Sequence, residues 1–231
     1  MVEYHYEVVV PSHYNVKKVI VGFPGITGKA TKFTKMFAKQ QDKFIGIYFD
    51  TPTGGWNYDR DVTKVIEIIQ REIAELTTLA EVNIVGVSSG AVFALTIAAK
   101  KNLGDLNVFA VAGTLVKPLV KIAGSSIKPP RVMMLNGIED NSTPYKGGFA
   151  HKMDLAGVED SAMALSSTGK LYKTEANSIY EIRASSYSTS PNIELHSVIH
   201  AGHDVWTYFD KYLKMQKDSM ANRVIEFFEN K

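Results

Sequence analysis

Apolar positions along the chain follow two alternating rhythms. Short β-branched or aromatic runs at 4–10 (YHYEVVV), 17–23 (KKVIVGF), 43–49 (KFIGIYF), 82–87 (VNIVGV), 106–113 (LNVFAVAG) and 131–137 (RVMMLNG) predict strands. Two later runs, 179–185 (IYEIRAS) and 193–199 (IELHSVI), stand close enough to pair as a hairpin. Between these runs the apolar spacing lengthens to three and four. Phe33, Met36 and Phe37 predict a helix over 31–41. Val62, Val65, Ile66, Ile69, Ile73 and Leu76 predict a longer one, with Asp61 as its cap or in its first turn. Helices are also expected over 89–101, 158–168 and 218–230, the last capped by Asp218 or Ser219.

Strands alternating with helices imply βα units, a mostly parallel sheet and helices on both of its faces. Two strands before the first helix imply an antiparallel start to that sheet. A length of 231 residues suits a single domain spanning 1–231. The stretch IAGSSIKPPR (122–131) reads as a surface loop, because the chain beyond it is too short for an independent core.

A net charge of +2 gives no reason to expect nucleic acid or a membrane surface as partner. Lys29, Lys32, Lys35 and Lys39 read as the solvated face of one helix. The chain has no cysteine, which removes disulfides, thiolate metal sites and a cysteine nucleophile. No run approaches the ~20 apolar residues of a membrane helix, and the start MVEYHYEVVV lacks the pattern of a signal peptide. A cytoplasmic protein is therefore expected.

One stretch carries chemistry. Gly86-Val87-Ser88-Ser89-Gly90 lies between a buried apolar strand and a helix. G-x-S-x-G in that setting puts a serine on a sharp turn above the sheet, with the next helix aiming backbone N–H groups at developing charge. Ser88 is the candidate nucleophile, and Ser89 would supply a backbone N–H to an oxyanion. A serine needs a base and the base needs an orienting acid, in the chain order Ser, acid, His for such a turn. Asp140 follows the strand at 131–137, with Glu139 as its competitor. His203 follows the strand at 193–199 and Gly202, with His200 as its competitor. His196 falls inside a strand and reads as structural, and His5, His13 and His151 have no suitable position. The glycine-rich loop GFPGITG (22–28) is placed to offer a second oxyanion donor.

With these residues in view, the chain from about 18 to 228 resembles the α/β hydrolases. More narrowly it resembles the poly(3-hydroxybutyrate) depolymerase and feruloyl or acetylxylan esterase group, the family 1 carbohydrate esterase-like branch. The resemblance rests on GFPGITGKATKF, GGWNYDRDVTKV, GVSSGAVFAL, NGIEDNSTPYKGG and IHAGHDVW. It implies an α/β-hydrolase fold and a serine esterase working through an acyl-enzyme; the helix at 89–101 and the strands at 106–113 and 131–137 follow one another closely, so no cap domain is expected. The triad would be Ser88, Asp140 and His203, with oxyanion N–H groups from Ile26 and Ser89. Trp56 would be a pocket wall or a core residue, and Trp206 would stand near the substrate. No metal or organic cofactor is implied. Pro24, Ile26 and Gly55 depart from the group's pattern, standing where it has a histidine and two cysteines. A peptidase or acyltransferase on the same fold, or a non-catalytic binding protein, are the rival readings.

Overall fold

A computed structural model of the chain describes residues 2–12, 17–76, 81–100, 103, 106–123, 129–174, 185–215 and 217–229. The elements run β1 Tyr6–Val9, β2 Lys18–Phe23, α1 Thr31–Met36, β3 Ile45–Phe49, α2 Arg60–Leu76, β4 Glu81–Val87 and α3 Ser89–Lys100. Next come β5 Leu106–Val111, α4 Lys117–Ala123, β6 Arg131–Gly137, β7 Gly148–Ala150, β8 Met153–Leu155, α5 Val158–Leu165 and β9 Tyr172–Thr174. The chain closes with β10 Ser185–Ser190, β11 Ile193–Val198, α6 Val205–Met215 and α7 Met220–Glu229.

Nine strands form one sheet in the order β1-β3-β2-β4-β5-β6-β11-β10-β9, and β7 and β8 form a separate two-stranded ribbon. The run from β3 to β11 is parallel throughout, with Val21 of β2 opposite both Ile47 and Ile84. Alternation along each strand sends side chains to opposite faces. Val19, Val21, Ile84, Val132 and Met134 join α2, α3, α4 and α5 in one core through Ile69, Phe93, Leu119 and Val158. Ile20, Val85, Val87, Met133 and Leu135 join α1, α6 and α7 in the other through Phe33, Phe209, Val224 and Phe228. Helix α3 is apolar on every side, and Ala91 to Ala99 are all buried. It lies against both β4 and β5 and fixes the direction in which the β4–α3 turn points.

Several elements differ from the sequence expectation. β1 is antiparallel, but it pairs with β3 at the sheet edge rather than with β2. The β2–α1–β3 crossover seats β3 beside β2, so the free edge left for β1 is that of β3. Helix α1 stops at Met36, where the chain turns back so that Phe44 packs edge-on against Phe37. β11 forms the expected hairpin, but its antiparallel partner is 185–190; of the expected strand at 179–185, residues 179–184 lie outside the described residues. Helices α4 and α6 and strands β7, β8 and β9 were not anticipated. At α2, Asn57 accepts the N–H groups of Asp59 and Arg60, while Asp61 sits in the first turn and accepts from the Asn57 N–H. At α7 the cap is Ser219, whose Oγ accepts the N–H of Asn222. Lys29, Lys32, Lys35 and Lys39 are all exposed, but they do not share one helix face: only Lys32 and Lys35 lie on α1, which ends at Met36. Among the described residues, no helix is long and apolar enough to cross a membrane.

Candidate active site

β4 ends in a turn that only glycine permits on both sides of Ser88. A Cβ on Gly86 would lie 2.5 Å from the Gly90 carbonyl oxygen, and one on Gly90 would lie 2.0 Å from that of Phe23. Ser88 itself has φ of 56°, the left-handed region that costs a non-glycine residue energy. Its backbone is held there by bonds to the next strand and into the helix. The Ser88 N–H donates to Val111 O at 2.8 Å, and Ser88 O accepts from Ala91 at 2.8 Å and Val92 at 3.1 Å.

Two loops at the same sheet end meet this turn. Backbone bonds from Ile138 to Val198 O (2.9 Å) and from Glu139 to Ala201 O (3.0 Å) lace the loop after β6 to the loop after β11. Ser88 Oγ lies 2.8 Å from His203 Nε2, and His203 Nδ1 lies 2.8 Å from Asp140 Oδ2. The second carboxylate oxygen, Oδ1, accepts the N–H groups of Ser142 at 2.8 Å and Thr143 at 2.9 Å. The Thr143 hydroxyl is 2.7 Å from Asp140 Oδ2 and 2.9 Å from Ala112 O, so its one proton bridges two acceptors. Burial alone pushes the Asp140 carboxyl up. The hydrogen bonds from His203 and Thr143 outweigh it and hold the group below the ordinary carboxylate range. Accessibility grades along the chain of contacts: the Asp140 side chain is 1% exposed and that of His203 is 34% exposed. The arrangement can take a proton from Ser88 and stabilise the imidazolium that results.

The competing residues pair with each other instead. His200 Nδ1 lies 2.9 Å from Glu139 Oε1, with both side chains largely exposed. His196 is buried within β11, where desolvation lowers its pKa. His5 is exposed beside Glu3, and His13 lies outside the described residues. His151 forms part of the turn between β7 and β8 and reaches the rim of a cavity.

That cavity has a volume of about 680 Å³ and opens beside Ile26 and Ser89. Ile26 is half exposed on the loop after β2, and Ser89 opens α3. The loop is braced from outside itself. Trp56 Nε1 donates to Pro24 O at 3.0 Å, Thr51 Oγ1 to Gly25 O at 2.5 Å, and the Thr51 N–H to Gly28 O at 3.0 Å. A Cβ on Gly25 would sit 3.5 Å from Ser88 Oγ, so the loop passes directly over the serine. Trp56 has both expected roles: it stacks on Phe93 at 4.5 Å in the core, and one edge lines the cavity. Trp206 packs instead beside the second core, with Lys32 Nζ 5.9 Å from its ring centre, and does not line the cavity. Tyr58 and Thr143 escaped the sequence reading. The signal for Thr143 was present, since an aspartate followed by Asn-Ser-Thr is the pattern of a side chain bonding backbone N–H groups two and three residues on. Among the described residues, no group of three or more His, Asp or Glu side chains is placed to hold a metal ion.

No protein-family model matches the chain, and no curated protein matches it by sequence. Solved structures do match. An acetyl xylan esterase from Aspergillus awamori superposes with a TM-score of 0.64 at 16% identity, over 87% of this chain and 89% of its own. The esterase PE8 gives 0.61 at 15% identity, over 92% and 99%. An α/β serine hydrolase homologue from Coxiella burnetii gives 0.53 at 15% identity, over 93% and 88%. At these identities the likeness is one of architecture, and the architecture is the α/β-hydrolase fold.

Proposed function

We propose that the chain is a serine hydrolase that cleaves carboxylic esters through an acyl-enzyme. The observation that carries this reading is the unbroken line of contacts Ser88–His203–Asp140, with both links at 2.8 Å. The esterases among its structural neighbours support the same reaction class. In this reading Ser88 Oγ attacks the ester carbonyl while His203 Nε2 takes its proton. The N–H groups of Ile26 and Ser89 hold the oxyanion. The Oγ–carbon bond forms, the bond to the alcohol oxygen breaks, and His203 returns the proton to that oxygen. Water then repeats the sequence and releases the acid. Asp140 fixes the imidazole with its proton on Nδ1, facing the carboxylate, so that Nε2 is free to accept. Every atom in the cycle comes from these side chains, the ester and water, so the reading calls for no metal or organic cofactor.

The test is labelling by a fluorophosphonate probe together with turnover of a small activated ester. The parent protein should be labelled on Ser88 and release alcohol in a burst. Ser88→Ala should lose both, with turnover down by at least about 10⁴-fold. A folded parent that neither takes the label nor turns over any ester would fit a binding protein and end the reading.

A further inference from the structure

We infer that the cavity beside Ile26 and Ser89 is an acyl-binding site, and that it selects esters of apolar acids of about six carbons or more over acetyl esters. The inference rests on the hydrolase reading and goes beyond it to the substrate class. Four groups surround the carbonyl carbon during attack: Ser88 Oγ, the oxyanion, the alcohol oxygen and the acyl chain. The alcohol oxygen must stay within reach of His203 Nε2, because that nitrogen returns the proton. His203 stands on the side of Ser88 formed by the loops after β6 and β11. The cavity's lining residues come from 26, 54–59, 89, 116, 118, 119 and 151–154, with none from those two loops, which sets it beyond the oxyanion donors and away from His203. An alcohol lying in the cavity would carry its oxygen away from the nitrogen that must protonate it. The acyl chain has no such constraint and continues past the oxyanion donors into the cavity.

Size and lining decide which acyl chain. About 680 Å³ is within the range of roughly 300–1,000 Å³ that encloses a drug-sized group, so an acetyl methyl would leave most of it to water. The walls include Ile26, Trp56, Val116, Pro118, Leu119 and Met153, all of them apolar. Tyr58 turns its hydroxyl toward Ser89 O at 3.4 Å. Charged lining groups belong to the outer segments: Lys152 at the β7–β8 turn, Asp154, which is tied to Lys117 at 2.6 Å, and the fully exposed Asp59, 3.4 Å from Lys100. Each methylene buried against such walls is worth about fourfold in binding. Four methylenes separate hexanoyl from acetyl, which gives about 200-fold if all are covered.

Two isomeric esters test this without a change in overall hydrophobicity: ethyl hexanoate, long on the acyl side, and hexyl acetate, long on the alcohol side. The parent protein should hydrolyse ethyl hexanoate with a kcat/KM at least about 30-fold above that for hexyl acetate. Met153→Trp, which fills the cavity from β8, should reduce that ratio by at least about tenfold. Phe149→Ala, on the exposed face of the same ribbon and outside the cavity, should leave the ratio unchanged. Equal rates on the two isomers, or a preference for hexyl acetate, overturn the acyl assignment while ester hydrolysis itself still stands. A parental ratio that survives in a folded Met153→Trp protein overturns it as well. Failure of the parent on both isomers and with the fluorophosphonate probe removes the hydrolase reading and this inference together.

Discussion

Replacing Asp140 by asparagine changes one atom and should stop most of the chemistry, for a reason visible in the contacts. Oδ1 accepts two backbone N–H groups, from Ser142 and Thr143. The amide oxygen of the new side chain must stay on that side. Reversed, it would leave two N–H donors facing an NH₂, at a cost of about 1–3 kcal/mol each. The NH₂ therefore takes the place of Oδ2, 2.8 Å from His203 Nδ1. A donor there makes Nδ1 an acceptor and moves the imidazole proton to Nε2, the nitrogen that faces Ser88. Ser88 then has no base. The lost charge adds to this: a carboxylate about 4 Å from an imidazolium, at an effective dielectric of about 20, contributes about 4 kcal/mol. That is about 10³ in rate, and the wrong tautomer brings the loss to about 10⁴. The assay is kcat on an activated ester, with folding followed by circular dichroism.

A stability measurement accompanies it. The Asp140 carboxyl is held below its ordinary range in the folded protein, so its ionisation stabilises the fold above the unfolded carboxylate value near ~4. That contribution is lost as pH falls through the lowered folded value. The gap in Tm between parent and Asp140→Asn should be widest at neutral pH and close on strong acidification. A folded Asp140→Asn protein with kcat within tenfold of the parent would refute the tautomer argument. So would a steep loss with Glu139→Gln and none with Asp140→Asn.

His203→Ala should abolish turnover while His200→Ala leaves it within about threefold, because His200 is tied to Glu139 on the surface; kcat of both proteins decides it. Thr143→Val removes the hydroxyl from Asp140 Oδ2 but keeps the backbone N–H on Oδ1. It should cost about 10- to 100-fold in kcat, with Thr143→Ser restoring most of it. Trp56→Phe keeps a ring against Phe93 but removes the donor to Pro24 O, so kcat should fall by about tenfold; a thermal melt should show that the fold remains.

What could be read from sequence was what is local. The strands β2 to β6 announce themselves by β-branched runs, and the Ser88 turn by two glycines whose spacing matches a backbone crossing. The loops carrying Asp140 and His203 each follow such a strand. Choosing Asp140 over Glu139 was harder, since both lie in the same turn. What separates them is tertiary: Glu139 is drawn to His200, and Asp140 to a histidine 63 residues further along the chain. Helix α6 carries a regular stripe in Val205, Phe209 and Leu213, but Trp206 and the exposed Tyr208 blur its period. Helix α4 has only seven residues, with a proline in its first turn, too few for a period to register.

The β7–β8 ribbon shows why the specificity of the site was less legible than its chemistry. Its strands have three residues each, too short for an alternating pattern. Its turn is made by His151 and Lys152, with φ of 52° and 64°, where a sequence reader looks for asparagine or glycine. The ribbon is held by a bridge from Leu155 to Val116 and by the Lys117–Asp154 pair, contacts between segments almost forty residues apart. The reacting groups stand at the ends of β4, β6 and β11, where the fold repeats a strand-then-loop pattern that sequence can signal. The cavity walls come from separate segments, namely the loops after β2 and β3, the starts of α3 and α4, and the β7–β8 ribbon, and nothing in one segment specifies the shape of another. Changes in these segments can therefore reshape the acyl side of Ser88 while leaving the line from Ser88 to Asp140 in place. Met153→Trp and Asp140→Asn probe that separation from opposite ends: the first should move selectivity between esters, the second the rate on all of them.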